Sequence, residues 1–164
     1  MLFRSPLVEC NTEAILAEAK ALIGLHPDLL EWRVDYFSEL GDEQKVIATL
    51  NKLREIVYDY PLIFTCRDSR EGGHSEIRNE QKVAIIQAAI RTGLVDFVDI
   101  ELLSGSLHLQ DVITLAHQHD TYVIVSQHDF KQTPAKDELI ETLNRQQSVG
   151  ADIAKIAEIG RAHV

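Results

Sequence analysis

The stretch Tyr122–Asp129 reads YVIVSQHD, an aromatic and β-branched run that turns polar and charged towards its end. A short apolar run of this kind is typical of a strand buried in a parallel sheet. Similar runs recur along the chain, and their starts are separated by 33, 33, 27 and 29 residues. The five runs are Leu29–Asp35 (LLEWRVD), Leu62–Asp68 (LIFTCRD), Val95–Glu101 (VDFVDIE), Tyr122–Asp129 and Ala151–Ala157 (ADIAKIA), and Pro6–Glu9 has the pattern of the end of one more strand.

Helix-like segments separate these runs, with apolar residues at helical spacing. Thr12 and Thr133 are the expected N-caps of the first and last helices, with Pro134 in the first turn of the last. Gly93 and Gly150 stand where two helices are expected to end. The alternation predicts one α/β domain of about six parallel strands and five helices, joined by right-handed crossovers. The predicted helices are Thr12–Gly24, Asp42–Asp59, Ser75–Gly93, Ser106–His119 and Pro134–Gly150.

The composition narrows the class of protein. The 164 residues include 16 basic and 26 acidic side chains, a net charge of −10, and 45% are hydrophobic. These values exclude a disordered or collagen-like chain. The acidic balance disfavours nucleic acid and anionic membranes as partners, and no apolar run approaches the roughly 20 residues of a membrane span. Two cysteines and no signal-peptide pattern predict a reduced, cytoplasmic setting.

The predicted strands end in charged residues. Because residues two apart on a strand share a face, Asp99 and Glu101 point the same way, and so do Ser126 and His128. Charged groups at the carboxyl ends of several parallel strands are where a (β/α)8 barrel assembles its active site. An open doubly wound sheet also binds ligands at that edge, but no G-x-G-x-x-G follows any of these strands.

Lys155 is the first candidate catalytic residue. It stands within the apolar run Ile153–Ala157, where desolvation is expected to depress its pKa and leave some free amine near neutral pH. A free amine is what Schiff-base formation with a ketone requires. The alternative is a buried lysine paired structurally with a carboxylate such as Glu101, and these residues leave both interpretations open.

His128 ends the strand that precedes the strand of Lys155. Histidine transfers protons near neutral pH, and neighbouring strands lie about 4.8 Å apart, so the two residues predict a base beside a nucleophile. Glu71 follows the third strand in a loop with Gly72 and Gly73, whose flexibility suits a carboxylate that reaches the site and orients His128. The alternative for Glu71 is a solvated loop acid.

Arg33 and Arg67 are candidates for binding a small anionic substrate, because the guanidinium fork matches the two oxygens of a carboxylate. Glu31 is expected to accept hydrogen bonds from hydroxyl groups. The alternative is a Glu31–Arg33–Arg67 salt-bridge network at the mouth of the barrel.

The remaining polar clusters give weaker signals. His117 and His119 with Asp120 close a predicted helix, where histidines favour the helix dipole, and a third metal ligand at a suitable spacing is missing from the sequence. No metal site is therefore predicted. Cys66 is expected to be a buried structural cysteine.

With these residues in place, the chain resembles type I 3-dehydroquinate dehydratase. The combination of E-x-R, R-x-x-x-E-G-G, S-x-H-D-F-x-x-T-P and D-x-x-K-I is specific, although each piece alone is weak. The resemblance covers nearly the whole chain in the family order. Its stretches are LEWRVDYF at Leu30–Phe37, PLIFTCRDSREGG at Pro61–Gly73, VDFVDIEL at Val95–Leu102, VSQHDFKQTP at Val125–Pro134 and ADIAKIA at Ala151–Ala157.

The resemblance implies an incomplete (β/α)8 (TIM) barrel of a hydro-lyase that removes water from 3-dehydroquinate to give 3-dehydroshikimate, in the shikimate pathway to aromatic amino acids. It implies that Lys155 forms a Schiff base with the substrate ketone, that His128 moves the protons and that Glu71 orients His128. It implies no metal and no external cofactor, and a cytoplasmic homodimer. The substrate-contacting positions that it matches are Glu31, Arg33 and Arg67.

The two ends depart from the family pattern. EIGRAHV at Glu158–Val164 and LFRS at Leu2–Ser5 are what the two arms of a common sequencing adapter encode. We therefore expect one partial barrel domain over residues 1–164, genuine over residues 6–157 and adapter-derived at 1–5 and 158–164. The family pattern continues with two more βα units, and a barrel without them has open sheet edges. We expect this chain to be poorly stable and largely inactive.

Two other functions are weighed against the dehydratase. A class I Schiff-base aldolase of sugar acids shares Lys155 but gives no reason for the H-D-F-x-x-T-P and E-G-G segments. A non-catalytic barrel remnant is disfavoured because all the chemical residues remain in the sequence.

Overall fold

Strands alternate with helices along the whole described chain, as the sequence predicts. The computed structural model describes residues 4–158. Its six strands pair in parallel in the order β1-β2-β3-β4-β5-β6, which is the arrangement of an incomplete (β/α)8 barrel. The elements are β1 (Arg4–Leu7), α1 (Thr12–Ile23), β2 (Leu29–Arg33), α2 (Glu43–Ile56), β3 (Leu62–Thr65), α3 (Asn79–Arg91), β4 (Phe97–Glu101), α4 (Ser106–Gln118), β5 (Tyr122–Asp129), α5 (Lys136–Ser148) and β6 (Ile153–Glu158).

The core lies between the sheet and the helices. Trp32 of β2 and Phe64 of β3 are fully buried register partners, and their rings meet edge to face at 5.5 Å between centroids. Helix α2 buries Leu50 and Leu53 in the same cluster. Alternate strand residues fill this layer because successive side chains point to opposite faces of a sheet. The strand residues of this core are Leu7, Leu30, Trp32, Leu62, Phe64, Val98, Ile100, Val123 and Val125.

The opposite face of the sheet carries the polar residues. Strand register places Thr65 beside Asp99, Glu101 beside Ser126, and Ser126 beside Lys155. Polar side chains buried on this face require partners, because an unpaired buried charge is costly. The fold therefore collects charged groups from successive strands on one surface, near their carboxyl ends.

Several element boundaries differ from those predicted. Asn11, and not Thr12, caps α1, because its side-chain oxygen accepts the N–H of Ala14 at 2.9 Å. Helix α5 begins at Lys136 instead of Pro134, since Ala135 is the extended cap residue and its N–H donates to Glu138. Two strands end earlier than predicted, β2 at Arg33 and β3 at Thr65, whereas β4 ends at Glu101 as predicted but begins at Phe97. Short 3-10 turns lie after these strands, at Val34–Tyr36, Ser69–Glu71 and Leu102–Ser104.

Gly93 and Gly150 end their helices as predicted. Their φ angles of 66° and 98° lie in the left-handed region that favours glycine. Gly93 follows the cap residue of α3, and Gly150 follows that of α5.

The predicted first strand is displaced towards the N-terminus. It spans Arg4–Leu7, not Pro6–Glu9, and pairs with β2 from Arg4 onwards. Of the residues assigned to adapter read-through, Arg4, Ser5 and Glu158 lie in strands, whereas residues 1–3 and 159–164 lie outside the described residues. Over the described range, none of the helices combines the length and the apolar character that crossing a bilayer requires.

Candidate active site

A cavity of about 250 Å³ gathers all six predicted site residues. It lies on the polar face of the sheet, and residues from strands and from the turns after them line it. The structure thus brings these six side chains together around one space. The lining residues are Arg4, Glu31, Arg33, Arg67, Glu71, Gly72, His128, Phe130, Lys155 and Ala157.

Lys155 projects into this cavity from β6 and forms an ion pair with Asp99. Its Nζ lies 2.8 Å from Asp99 Oδ2, and 24% of its side chain is exposed. The lysine thus pairs with a buried carboxylate, but with Asp99 and not with Glu101, the example given above. Glu101 is level with Lys155 across β5, but its two oxygens are already bound by Arg67 and Lys82.

Arg67 links two carboxylates of β4. Its Nη2 lies 2.9 Å from Asp99 Oδ1, and its Nη1 lies 2.8 Å from Glu101 Oε1 and 2.7 Å from Ser126 Oγ. Burial on its own lowers the pKa of a guanidinium, but Asp99 and Glu101 outweigh it and raise the pKa of Arg67. Arg67 is therefore a permanent buried cation at the base of the cavity.

Lys82 is a buried charged residue that the sequence analysis missed. It lies on α3 and is 0% exposed. Its Nζ donates to Glu101 Oε2 at 2.7 Å, to Ser104 Oγ at 3.2 Å and to Asp68 Oδ2 at 3.3 Å. Lys82 precedes the buried Ile86 by four residues, so both lie on the buried face of the helix. That spacing could have identified Lys82 as a buried residue from the sequence.

Glu71 contacts both the ring and the backbone of His128. Glu71 Oε2 lies 2.9 Å from His128 Nδ1 and also accepts the backbone N–H of His128 at 2.9 Å. The carboxylate is 4% exposed, so Glu71 is not a solvated loop acid. The two residues form the pair that the sequence analysis expected.

The turn that carries Glu71 is held by backbone hydrogen bonds and by close packing around its glycines. Glu71 N and Gly73 N both donate to the Asp68 carbonyl at 2.9 Å. Gly72 has a φ of 82°, and a Cβ on it would lie 2.7 Å from the ring of Phe130. This tight conformation therefore requires glycine at both positions.

Arg33 and Glu31 have separate partners. Arg33 makes a two-pronged contact with Asp35, with both N–O distances at 2.8 Å, and its Nη2 reaches the Gly72 carbonyl at 3.3 Å. Glu31 accepts the Thr65 hydroxyl at 2.8 Å and lies 3.2 Å from Arg4 Nη1. The alternative of a Glu31–Arg33–Arg67 salt-bridge network is wrong in its pairs, because Arg33 forms its ion pair with the buried Asp35.

Asp35 is a second carboxylate that the sequence analysis did not assign. It is fully buried and also accepts the backbone N–H groups of Arg67 and His74, at 3.2 and 2.9 Å. It thereby joins the end of β2 to both ends of the turn that carries Glu71.

The weaker candidates lie elsewhere. His117 Nε2 is 3.0 Å from Asp152 Oδ2, outside the cavity, and residues 4–158 hold no cluster of three or more potential metal ligands. Cys66 is completely buried, as predicted, and burial raises the pKa of its thiol.

The fold and the cavity together define a class of protein. It is an incomplete parallel βα barrel with a lysine, a histidine–glutamate pair and two arginines gathered on the polar face of its strands. The model of the family described as type I 3-dehydroquinase matches residues 5–162. The chain belongs to this family.

Individual relatives agree with this assignment. The 3-dehydroquinate dehydratase of Bacillus subtilis (strain 168) is 40% identical over 152 residues, which are 93% of this chain and 60% of that protein. That of Salmonella agona (strain SL483) is 42% identical over 143 residues, 87% of this chain and 57% of that protein. The chain therefore spans about 60% of the length of the curated relatives that it matches.

A solved structure has the same fold. The crystal structure of type I 3-dehydroquinate dehydratase from Clostridium difficile, with covalently modified comenic acid, has a TM-score of 0.94 and 38% sequence identity. The match covers 96% of this chain and 62% of that one.

Proposed function

We propose that the cavity is the Schiff-base site of a 3-dehydroquinate dehydratase, which eliminates water from 3-dehydroquinate to give 3-dehydroshikimate. The observation that carries the proposal is that the partly exposed Lys155 amine opens onto the same cavity as the His128–Glu71 pair. Family membership and the relatives support the substrate, and the reaction would be that of a hydro-lyase.

Lys155 supplies the nucleophile. Its amine adds to the ketone carbon of the substrate, and loss of the ketone oxygen as water leaves an iminium. The positive iminium nitrogen withdraws electrons from the neighbouring carbon and makes its proton more acidic. The lysine therefore turns an unactivated C–H bond into one that a side-chain base can break.

His128 moves the protons. A carboxylate 2.9 Å from Nδ1 favours the tautomer protonated there, which leaves the lone pair on Nε2 to accept the substrate proton. The same imidazolium then returns a proton to the departing hydroxyl, which leaves as water. Glu71 sets the orientation of the ring. Hydrolysis of the product iminium by water restores Lys155.

The charged side chains around the cavity can bind an anionic, hydroxylated substrate. Arg33 is the more available arginine, because 18% of its side chain is exposed against 3% for Arg67. We assign substrate contacts to Arg33 and to the more deeply buried Glu31, both of which line the cavity. Arg67 contacts the substrate from below, while remaining bound to Asp99 and Glu101.

The proposal includes the setting of the enzyme. It is a cytoplasmic homodimer that acts on a small anion bound by local arginines. The net charge of −10 supports neither nucleic acid nor an anionic membrane as partner. The reaction as written needs no metal and no external cofactor, because Lys155 supplies the electron sink and His128 the proton transfer.

Borohydride trapping tests the proposal. The 164-residue chain is incubated with 3-dehydroquinate and sodium borohydride, and the modified peptide is located by mass spectrometry. Trapping is preferred to turnover, since it requires only the iminium. We expect an adduct on Lys155, its loss in Lys155→Met, and its retention in Lys52→Met, which changes an exposed lysine of α2.

The outcomes separate the candidate functions. An adduct that forms with pyruvate and not with 3-dehydroquinate would favour a class I aldolase. A chain that is folded by circular dichroism yet forms no adduct with either ketone would overturn the Schiff-base proposal and favour a non-catalytic remnant.

A further inference from the structure

Asp99 is fully buried on β4 and touches the nitrogen that the proposed reaction uses. Its Oδ2 lies 2.8 Å from Lys155 Nζ. Its other oxygen, Oδ1, lies 2.9 Å from Arg67 Nη2 and accepts the Ser126 hydroxyl at 2.6 Å. The carboxylate is thus pinned through Oδ1 while Oδ2 faces the lysine.

Glu101 shows that this arrangement is particular to Asp99. It is two residues further along the same strand, is equally buried and also binds Arg67. Its oxygens face Lys82, Arg67 and the backbone N–H of Asp68, and they make no hydrogen bond to Lys155 within the described residues. One carboxylate of β4 therefore faces the cavity lysine, and the other joins the strand to α3.

We propose that Asp99 is a further catalytic residue, the fixed counter-ion of the iminium that forms on Lys155. This inference rests on the proposed Schiff-base function. The overall step is R–NH2 plus a proton plus a ketone giving R–NH+=C plus water, so the attacking nitrogen gains a positive charge as the iminium forms. One amine proton and the added proton leave with the ketone oxygen as water, and the remaining N–H stays available to Asp99 Oδ2.

The surroundings keep this counter-ion charged and in place. Burial on its own raises the pKa of a carboxyl group, but Arg67 and Lys155 outweigh it and hold the pKa of Asp99 below its usual range. Arg67 and Ser126 fix Oδ1, so the carboxylate does not need to reorient when the nitrogen becomes trigonal. A preorganised charge at a reacting centre stabilises charge there without a reorganisation cost.

The test compares two Asp→Asn substitutions on the same segment of chain. Asp99→Asn removes the counter-ion, and Asp96→Asn removes a carboxylate that pairs with Arg54 at 2.6 Å, away from the cavity. With 3-dehydroquinate and borohydride, we expect the rate of Lys155 adduct formation to fall about 100-fold in Asp99→Asn. We expect it to be unchanged in Asp96→Asn.

Anion rescue distinguishes a counter-ion from a structural residue. In Asp99→Ala the lost carboxylate leaves a space beside Lys155, and formate is an anion small enough to occupy it. We expect formate to raise the yield of trapped adduct with a saturating concentration dependence. The neutral isostere formamide should have no effect, and equal effects of the two additives would contradict the proposal.

A milder variant allows the proposal to be tested even if the Asp99 variants do not fold. Ser126→Ala removes the hydroxyl that donates to Asp99 Oδ1 and accepts from Arg67 Nη1, without changing a charge, and it should lower the trapping rate about tenfold. If only this variant folds, an unchanged rate overturns the proposal.

The outcomes also separate the two proposals. Adduct formation that is normal in the unsubstituted chain and undiminished in folded Asp99→Asn overturns the role of Asp99 alone. Absence of any Lys155 adduct in the folded, unsubstituted chain overturns the Schiff-base function, and the role of Asp99 with it.

Discussion

Replacing Gly73 with alanine tests whether the turn that holds Glu71 is as rigid as its contacts indicate. An added Cβ would lie 2.1 Å from the carbonyl oxygen of Arg67 and 2.7 Å from the carbonyl carbon of Asp68. Ordinary contact begins at 3.4 Å, so the two segments would have to separate by about 1.3 Å. Both neighbours are backbone atoms, which cannot rotate away as a side chain can.

The expected loss of stability follows from this overlap. Forcing a methyl group into a packed site costs typically 1–3 kcal/mol, and we expect about 3 kcal/mol here because the clash is with backbone. Gly41 provides the matched control, since a Cβ there would meet only the Gln81 side chain, at 3.8 Å. Gly41→Ala should be neutral or slightly stabilising, because alanine restricts the unfolded chain more than glycine does.

Two measurements check this prediction. Urea unfolding followed by circular dichroism gives the free energy of unfolding of Gly73→Ala and Gly41→Ala side by side. Nitrogen-15 NMR of the His128 ring reports whether Glu71 still holds Nδ1, and this signal should change only in Gly73→Ala. Equal free energies of unfolding for the two variants would show that the turn yields easily, and the argument from the Arg67 carbonyl would be wrong.

Three further predictions concern stability and reactivity. A thiol reagent should modify the exposed Cys10 in the native chain and should reach the fully buried Cys66 only after unfolding. Mass spectrometry of the labelled peptides checks this, and rapid labelling of Cys66 in the native chain would contradict its burial. Hydrogen bonds from Arg70 hold the pKa of Asp68 below its usual value. The ionised Asp68 therefore stabilises the fold fully above about pH 5, and this stabilisation is lost as the pH falls through about 4 towards the folded-state pKa. The urea midpoint should decrease over that pH range, and it should decrease less in Asp68→Asn. Gly93→Ala should cost about 1 kcal/mol in urea unfolding, because the backbone φ is 66° but the added Cβ meets no atom within 4 Å, and a stabilised variant would contradict the left-handed conformation.

The fold was predictable because the sequence shows both the spacing of the strands and the helical pattern of the segments between them. Apolar runs near 30-residue spacing, with helical patterns between them, leave few arrangements other than a parallel sheet with crossovers. The same alternation placed Lys155 and His128 on one face, and the structure has them on one cavity. The ends of strands were harder to predict, because the 3-10 turn at Val34–Tyr36 depends on Asp35 bonds to distant segments.

The pairing of charges within the site was not predictable. Strand register puts Lys155 level with Glu101, but its partner is Asp99, while Lys82 competes for Glu101 and Arg67 binds both carboxylates. That competition involves a helix residue, whose distance from the sheet a strand pattern does not encode. Lys82 could have been identified as buried from its helical position, but its three partners come from separate turns and strands.

The neighbour-by-neighbour order of the six strands bears on how the chain acquires its structure during synthesis. Paired residues are only 25 to 34 positions apart, as in Arg4 with Leu29 and Ile63 with Phe97. Each strand that leaves the ribosome therefore finds its docking edge already made, and loops of this length close at modest entropic cost. Lys155 comes on the last of these strands, so the ammonium group reaches Asp99 after Arg67 has arrived to neutralise that carboxylate.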